Sequence, residues 1–479
     1  MDTLPYELLI NVLKFTNSNV NINFCRTSYL FYYLRTLMTI QICKLKRYGD
    51  RDHRLHKYHE NTSYYISCIG IIHFCPQKLE NISHQLKYLA FSNHFNSELI
   101  NFNFNFPKSL SYLQFGENFN QKICQLPPTL THLTFGKHFN QELKNLPHLL
   151  IYLRLGHNFN QTVNHLPQFL KCLIFGHNFN QQVTHWPQSL IRLKFGDCYN
   201  EKLCQLPNTI THLSFGLNFK QKLFNLPNAL THLILGYKLK YHLNNLPQSL
   251  KYIKLDDYFD DIPNSVTHIS FGGCQKYQLD VDMDTDMDMD MDKLPRTLKY
   301  INSGYYFNQK LENLPPTLTH IIFGTDFNQK LENLPDSLKF IRFGYYFNQE
   351  LENLPPRLTH LFFGDYFNKE LTNLPSTITH MKIGNYFSKS LKNLPPLLTH
   401  LMFGITFDQD INYLPPLLTH LMLATTFIKK IENLPLSLTH ISFGRDFRPK
   451  PKHFPKNVKY VKVNKIVHVP RHVKYISYF

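Results

Sequence analysis

Ten histidines occupy one recurring position in this chain: His132, His212, His232, His268, His320, His360, His380, His400, His420 and His440. Rows of imidazoles can ligate metal, move protons or hydrogen-bond an anion. These rows contain neither carboxylates nor a closed tetrahedral set, which argues against a metal array. Two residues after each histidine position runs a second row, which supplies Arg154, Lys194, Lys254, Arg342 and Lys382; Arg192 stands in the first row. Phe362, Met402 and Met422 add an apolar patch to the second row. Neither row contains Asp or Glu; carboxylates sit elsewhere in the period, as at Glu142, Glu312, Glu332 and Glu352. The chemistry expected of such a surface is docking of an acidic or phosphorylated protein segment, steered electrostatically and anchored on the apolar patch. Neighbouring imidazoles disfavour simultaneous protonation, so the face is expected to gain charge gradually below about pH 6.5.

The elements that carry these rows are repeats. Pro127 through Pro247 recur every 20 residues, and Pro295 through Pro455 resume the spacing. In Leu130-Thr-His-Leu133-Thr-Phe135-Gly136, apolar Leu133 and Phe135 alternate with His132 and Thr134, the period of a strand. Gly136 is expected to release the backbone into a turn, and Pro147 forbids a helix through its corner. Each unit is thus a short strand, a turn, a compact return arm and a Pro-marked corner. No unit can bury its Leu and Phe alone, so stacked units must share one core and one parallel sheet. The outward strand positions then form the concave face of an arc on the order of 90 Å long.

The bulk numbers agree with an elongated binding protein. The formal charge is +17 and the nine cysteines include no Cys-x-x-Cys pair, which suits free thiols in a reducing compartment. No signal peptide is visible and no apolar run reaches the roughly 18 residues of a spanning helix. The expectation is an intracellular, cytoplasmic protein. No phosphate-cradling Gly loop, Gly-x-Ser-x-Gly or His-Glu-x-x-His occurs, so the chain is read as a non-enzyme without cofactor or metal.

The pattern Leu-x-x-Leu-x-Phe-Gly-x-x-Phe-Asn-Gln-x-Leu-x-x-Leu-Pro resembles the FNIP repeat, a relative of the leucine-rich repeat. The resemblance covers about residues 86–479 and gives 20 strand starts, from Leu86 to Val473. It implies a leucine-rich-repeat-like solenoid, a parallel stack of about 20 short strands.

Before the repeats, Leu4 to Phe15 reads as an amphipathic helix with Pro5 in its first turn. Further helical stretches cover Phe24–Leu37 and Ile40–Tyr48. The run Leu4-Pro5-x-Glu7-Leu8-Leu9-x-x-Val12-Leu13, with Cys25-Arg26-Thr27-Ser28-x-x-Phe31-x-x-Leu34, resembles an F-box. That resemblance implies docking on a Skp-type adaptor of a cullin-RING ubiquitin ligase through Leu4, Pro5, Leu8, Leu9, Val12 and Leu13. A helical cap for the solenoid is the competing reading of residues 1–48. F-box plus FNIP repeats is an architecture of amoebae and of the giant DNA viruses that infect them, which would place a viral form in the host cytoplasm. Residues 49–85 read as a basic linker or cap. Within 273–293 lies an insert in which seven aspartates alternate between Asp280 and Asp292. It lacks the Gly turn and bidentate Glu of a calcium loop, and reads as a solvated expansion or a mask for the basic face.

Three functions remain open. The first is the substrate-recognition subunit of a Skp/cullin/F-box ubiquitin ligase, with the solenoid holding an unidentified target. The second is a protein-binding scaffold without a ubiquitin link. The third is a nucleic-acid binder, disfavoured because aromatics do not recur at base spacing. Nothing implies membrane binding or an obligate homo-oligomer.

Overall fold

The structure, a computed structural model, describes residues 69–72, 86–91, 93–99, 106–123, 125–236, 245–255, 262–272, 293–429, 431, 433–445, 447–450, 454–463 and 469–478. The chain divides into Met1–Ser67 and Cys68–Phe479, and every described residue belongs to the second part. The expected F-box positions Leu4, Pro5, Leu8, Leu9, Val12 and Leu13 lie outside the described residues, as do the rest of residues 1–48 and the Asp280–Asp292 tract.

Among the described residues, 21 strands form one parallel sheet, each paired with the next in chain order. Twenty of them, from β2 (Tyr88–Phe91) to β21 (Tyr475–Tyr478), match the twenty starts read from the sequence. One more, β1 (Ile69–Ile72), falls inside the span expected to be linker or cap, in register with β2 from Ile69↔Tyr88 to Ile72↔Phe91. The residues around β1 have lost the Leu-Pro and Phe-Asn-Gln letters, yet three isoleucines suffice for a strand.

A typical strand has three residues. In β4 (His132–Thr134) Leu133 is fully buried while its neighbours are half-exposed. Leu130, Phe135 and Phe139 join it in a single core that continues from rung to rung. Two phenylalanine columns run through this core. Phe119, Phe139, Phe159, Phe179, Tyr199 and Phe219 stack at 5.9–6.1 Å. Within a rung, Phe135 lies 3.8 Å from Phe139. The Pro corner closes by Leu130 N–H donating to Pro127 O at 3.0 Å, and equivalent bonds close the other corners.

The glycine after the strand serves close approach rather than turning freedom. A Cβ on Gly136 would sit 2.0 Å from Gly116 O, and one on Gly324 would sit 1.5 Å from Gly304 O. Gly304 excepted (φ 82), the left-handed backbone falls elsewhere, on asparagines before Leu-Pro such as Asn145 (φ 54) and Asn333 (φ 53).

The Phe-Asn-Gln letters form a polar ladder. Asn140 N–H donates to Asn120 Oδ1 at 2.9 Å, Asn160 N–H to Asn140 Oδ1 at 2.8 Å, and Asn180 N–H to Asn160 Oδ1 at 2.9 Å. The glutamine amides donate to the same oxygens, as Gln161 Nε2 does to Asn140 at 3.2 Å. The ladder resumes from Asn308 to Asn368. Each side chain thus satisfies the return-arm amide of the next rung, which lies outside the sheet. Asn160→Ala removes the acceptor for Asn180 N–H and Gln181 Nε2. It is expected to destabilise the solenoid by about 1–3 kcal/mol, read by chemical denaturation against Gln161→Ala, whose loss should be smaller.

Candidate open-face binding site

Because the strands pair in register, each outward letter stacks on its equivalent in the next rung. The register joins His360, His380, His400, His420 and His440 into one column. Their ring centroids are 4.0–4.3 Å apart with planes within 13°. Tyr460 caps the column at 4.1 Å from His440. His212 and His232 form a shorter stack at 4.2 Å, and His132 lies 4.2 Å from Tyr112.

A threonine precedes every one of the ten histidines and fixes its ring. Thr Oγ1 lies 2.8–2.9 Å from Nδ1 of the following histidine in all ten rungs. The same hydroxyl approaches the carbonyl one rung back, as Thr399 does Thr379 O at 3.0 Å. A hydroxyl that donates to that carbonyl and accepts from Nδ1–H uses one proton for each contact. Nε2 is left as the ring nitrogen available to a partner. The threonine's role was missed in the sequence, although the constant Thr-His dipeptide signals it.

The stack changes the acid–base behaviour expected of the face. Burial between neighbouring rungs lowers the pKa to about 4 at His132, His212, His268, His360 and His400, and to about 3 at His420. Repulsion from other histidines adds to the effect of burial at five of these, His132 excepted. The shift is also downward at His232, His320, His380 and His440. Gradual charging from pH 6.5 is therefore corrected: the column stays largely neutral until far more acidic pH.

The cations divide by environment. Arg154, Arg192 and Lys194 are exposed, whereas Lys254, Arg342 and Lys382 are half-buried. Burial lowers the pKa of both Arg342 and Lys382. The anticipated apolar patch is interrupted. Phe362 registers with Lys382, Lys382 with Met402, and only Met402 and Met422 are adjacent. Phe362 packs edge-on against Phe340 at 5.3 Å, and Met422 is the exposed member at 39%. Tyr252 and Tyr300, which stand in register with the histidine row, are buried. Their rings lie against His232 and against His268 and His320, respectively. Beside the face, four exposed tyrosines touch one another on successive turns: Tyr345, Tyr346, Tyr366 and Tyr386. The sequence reading did not single them out, though Tyr-Tyr-Phe and x-Tyr-Phe recur there.

The fold and this face define a leucine-rich-repeat-type parallel β solenoid that presents columns of side chains on its open face. The FNIP Repeat family matches residues 103–138, 159–198, 185–216, 199–238, 240–274, 290–326, 307–346, 327–366 and 347–386, together more than half of the chain. The chain belongs to the FNIP-repeat family. It is similar to CroV588, described as a circular leucine-rich-repeat protein, at 32% identity over 83% of this chain and 76% of that one, with a TM-score of 0.56. YopM from Yersinia enterocolitica is 20% identical over 78% of this chain and 88% of that one, with a TM-score of 0.42. No curated protein matches the chain. Among the described residues no helix is long and apolar enough to cross a membrane.

The lowered histidine pKa values link stability to pH. Between about pH 6.5 and 4 the unfolded chain binds protons that the folded column refuses, so stability is full above pH 6.5 and falls as pH falls. The thermal midpoint is expected to drop across that window. His400→Gln with His420→Gln should flatten the slope relative to the parent, whereas an unchanged slope would show that the column does not control it.

Proposed function

We propose that the chain is a protein-binding scaffold that docks a target segment on the open face of its sheet. The observation that carries this reading is the charge sorting of that face. Its described column positions hold Arg154, Arg192 and Lys194 exposed and contain no carboxylate, while the neutral histidines add no negative charge. Such a surface favours acidic protein segments and speeds their encounter. Leucine-rich-repeat relatives share the solenoid that supports the reading.

The finer reading joins this scaffold to ubiquitin transfer. Leu4, Pro5, Leu8, Leu9, Val12 and Leu13 carry the F-box resemblance, and in that arrangement the N-terminal segment would hold a Skp-type adaptor while the solenoid holds the target. The chain would then be the substrate-recognition subunit of the ligase. Support for this part comes from the N-terminal sequence alone.

The experiment is co-elution of the purified full chain with a purified Skp-type adaptor. A stable complex is expected, and Leu8→Asp with Pro5→Ala should abolish it while the thermal midpoint of the solenoid stays unchanged. Absence of a complex with the parent chain, or a complex that survives both substitutions, removes the ubiquitin link. The scaffold function would stand in that case.

A further inference from the structure

No aspartate or glutamate occurs between Glu142 and Asp197, in a chain that carries 34 of them. That interval builds β5 (Tyr152–Arg154), β6 (Cys172–Ile174) and β7 (Arg192–Lys194). Four of its cations crowd these rungs. Arg154 ends β5, Lys171 immediately precedes β6, and Arg192 and Lys194 flank the buried Leu193 of β7. All four are exposed. The ion pairs Lys144–Glu142, His177–Asp197 and Lys429–Asp408 involve none of these four cations.

Register places the cations together. Arg154 pairs with Ile174 and Ile174 with Lys194, so the two charges stand two rungs apart, roughly 10 Å. Ile191 N–H donates to Lys171 O at 2.8 Å, which sets Lys171 beside the residue that leads into Arg192. Equivalent positions in adjoining rungs hold Thr134, Ser214 and Thr211, so the fold itself does not require cations there.

An apolar margin borders the same rungs. At the Pro corners a hydroxyl normally ties each rung to the one before: Thr129 donates to Leu110 O at 2.9 Å, Ser189 to Leu170 O at 3.0 Å and Thr209 to Leu190 O at 2.8 Å. Leu149 and Phe169 stand at this position in consecutive rungs and forgo that bond. They are 42% and 59% exposed, and Ile191, just before β7, is 36% exposed. Leu397 and Leu417 make the same departure at 46% and 49% exposed, but in β5–β7 it coincides with the exposed cations of the open face.

We infer that the β5–β7 sector docks an extended segment of a partner protein in which carboxylate residues alternate with bulky apolar ones. An extended chain points alternate side chains to opposite sides. One side would meet Arg154, Lys171, Arg192 and Lys194, and the other would lean on the Leu149–Phe169 margin. Electrostatics supplies register and encounter rate, and the apolar anchors supply residence. Phe169 is the single aromatic of the margin beside aliphatic Leu149 and Ile191, so successive bases lack a run of rings to stack on, which favours a peptide. The inference rests on the open face being the docking surface, and it adds the sector and the partner's chemistry.

The test is fluorescence anisotropy on the full chain with a short labelled peptide of alternating Glu and Leu/Phe, beside a control in which Ser replaces the apolar residues. The alternating peptide is expected to bind more tightly than the control, with affinity falling as salt rises. Arg192→Ala with Lys194→Ala, and separately Phe169→Ala, should each weaken it about tenfold, with unchanged thermal midpoints because all three residues are exposed. Met422→Ser and Lys382→Ala should leave binding unaltered. Equal affinity for the Ser control, no binding of either peptide, or displacement by single-stranded RNA would overturn the assignment. Loss of binding only on Met422→Ser or Lys382→Ala would overturn the sector and leave the open-face function standing.

Discussion

Every rung of this solenoid completes the hydrogen bonding of its neighbour. Ser111 O accepts from both Thr131 N–H and His132 N–H, and the same double acceptance recurs at Thr131 O and Ile151 O. The asparagine ladder does for the return arm what the sheet does for the strand. Buried amides without partners are costly, so a rung cannot exist alone. The 20-residue period follows from this coupling as much as from the shared apolar core.

The same coupling dictates what the open face can be. Parallel pairing in register turns each outward letter into a column at nearly constant spacing. A column of identical histidines is then a stack, and stacking shields each ring from water. The imidazoles lose basicity, mainly through burial and secondarily through one another. They contribute neutral hydrogen-bonding edges, not the charge that their number suggests. Charge on the face comes instead from the letters that break the column, above all in β5–β7.

Repeats also separate what the fold needs from what is free to vary. Gly136 is held by the backbone of the rung beneath it, Phe139 by the phenylalanine column, and Asn140 by the amide of Asn160. The side chains of Leu149, Phe169 and Arg192 are exposed and are not held in this way. Residues of the second sort are released from the fold's demands, and they occur in clusters rather than at every rung.

The period, the alternation within each strand, the corners at proline and the membership of the two outward columns are all legible in the linear chain. All of these are set by local sterics and by burial of every second side chain, which a short window contains. The added strand at Ile69–Ile72 was illegible because its unit keeps apolar residues without the repeat's letters. Only the tertiary structure decided that the Asn side chains bond the next return arm, that Tyr252 and Tyr300 are buried, and that Lys382 splits Phe362 from Met402. It likewise decided how far the histidines depart from ordinary acidity. Each of these depends on what lies one rung away in space and about twenty residues away in sequence, where shielding and hydrogen-bond geometry are fixed by packing.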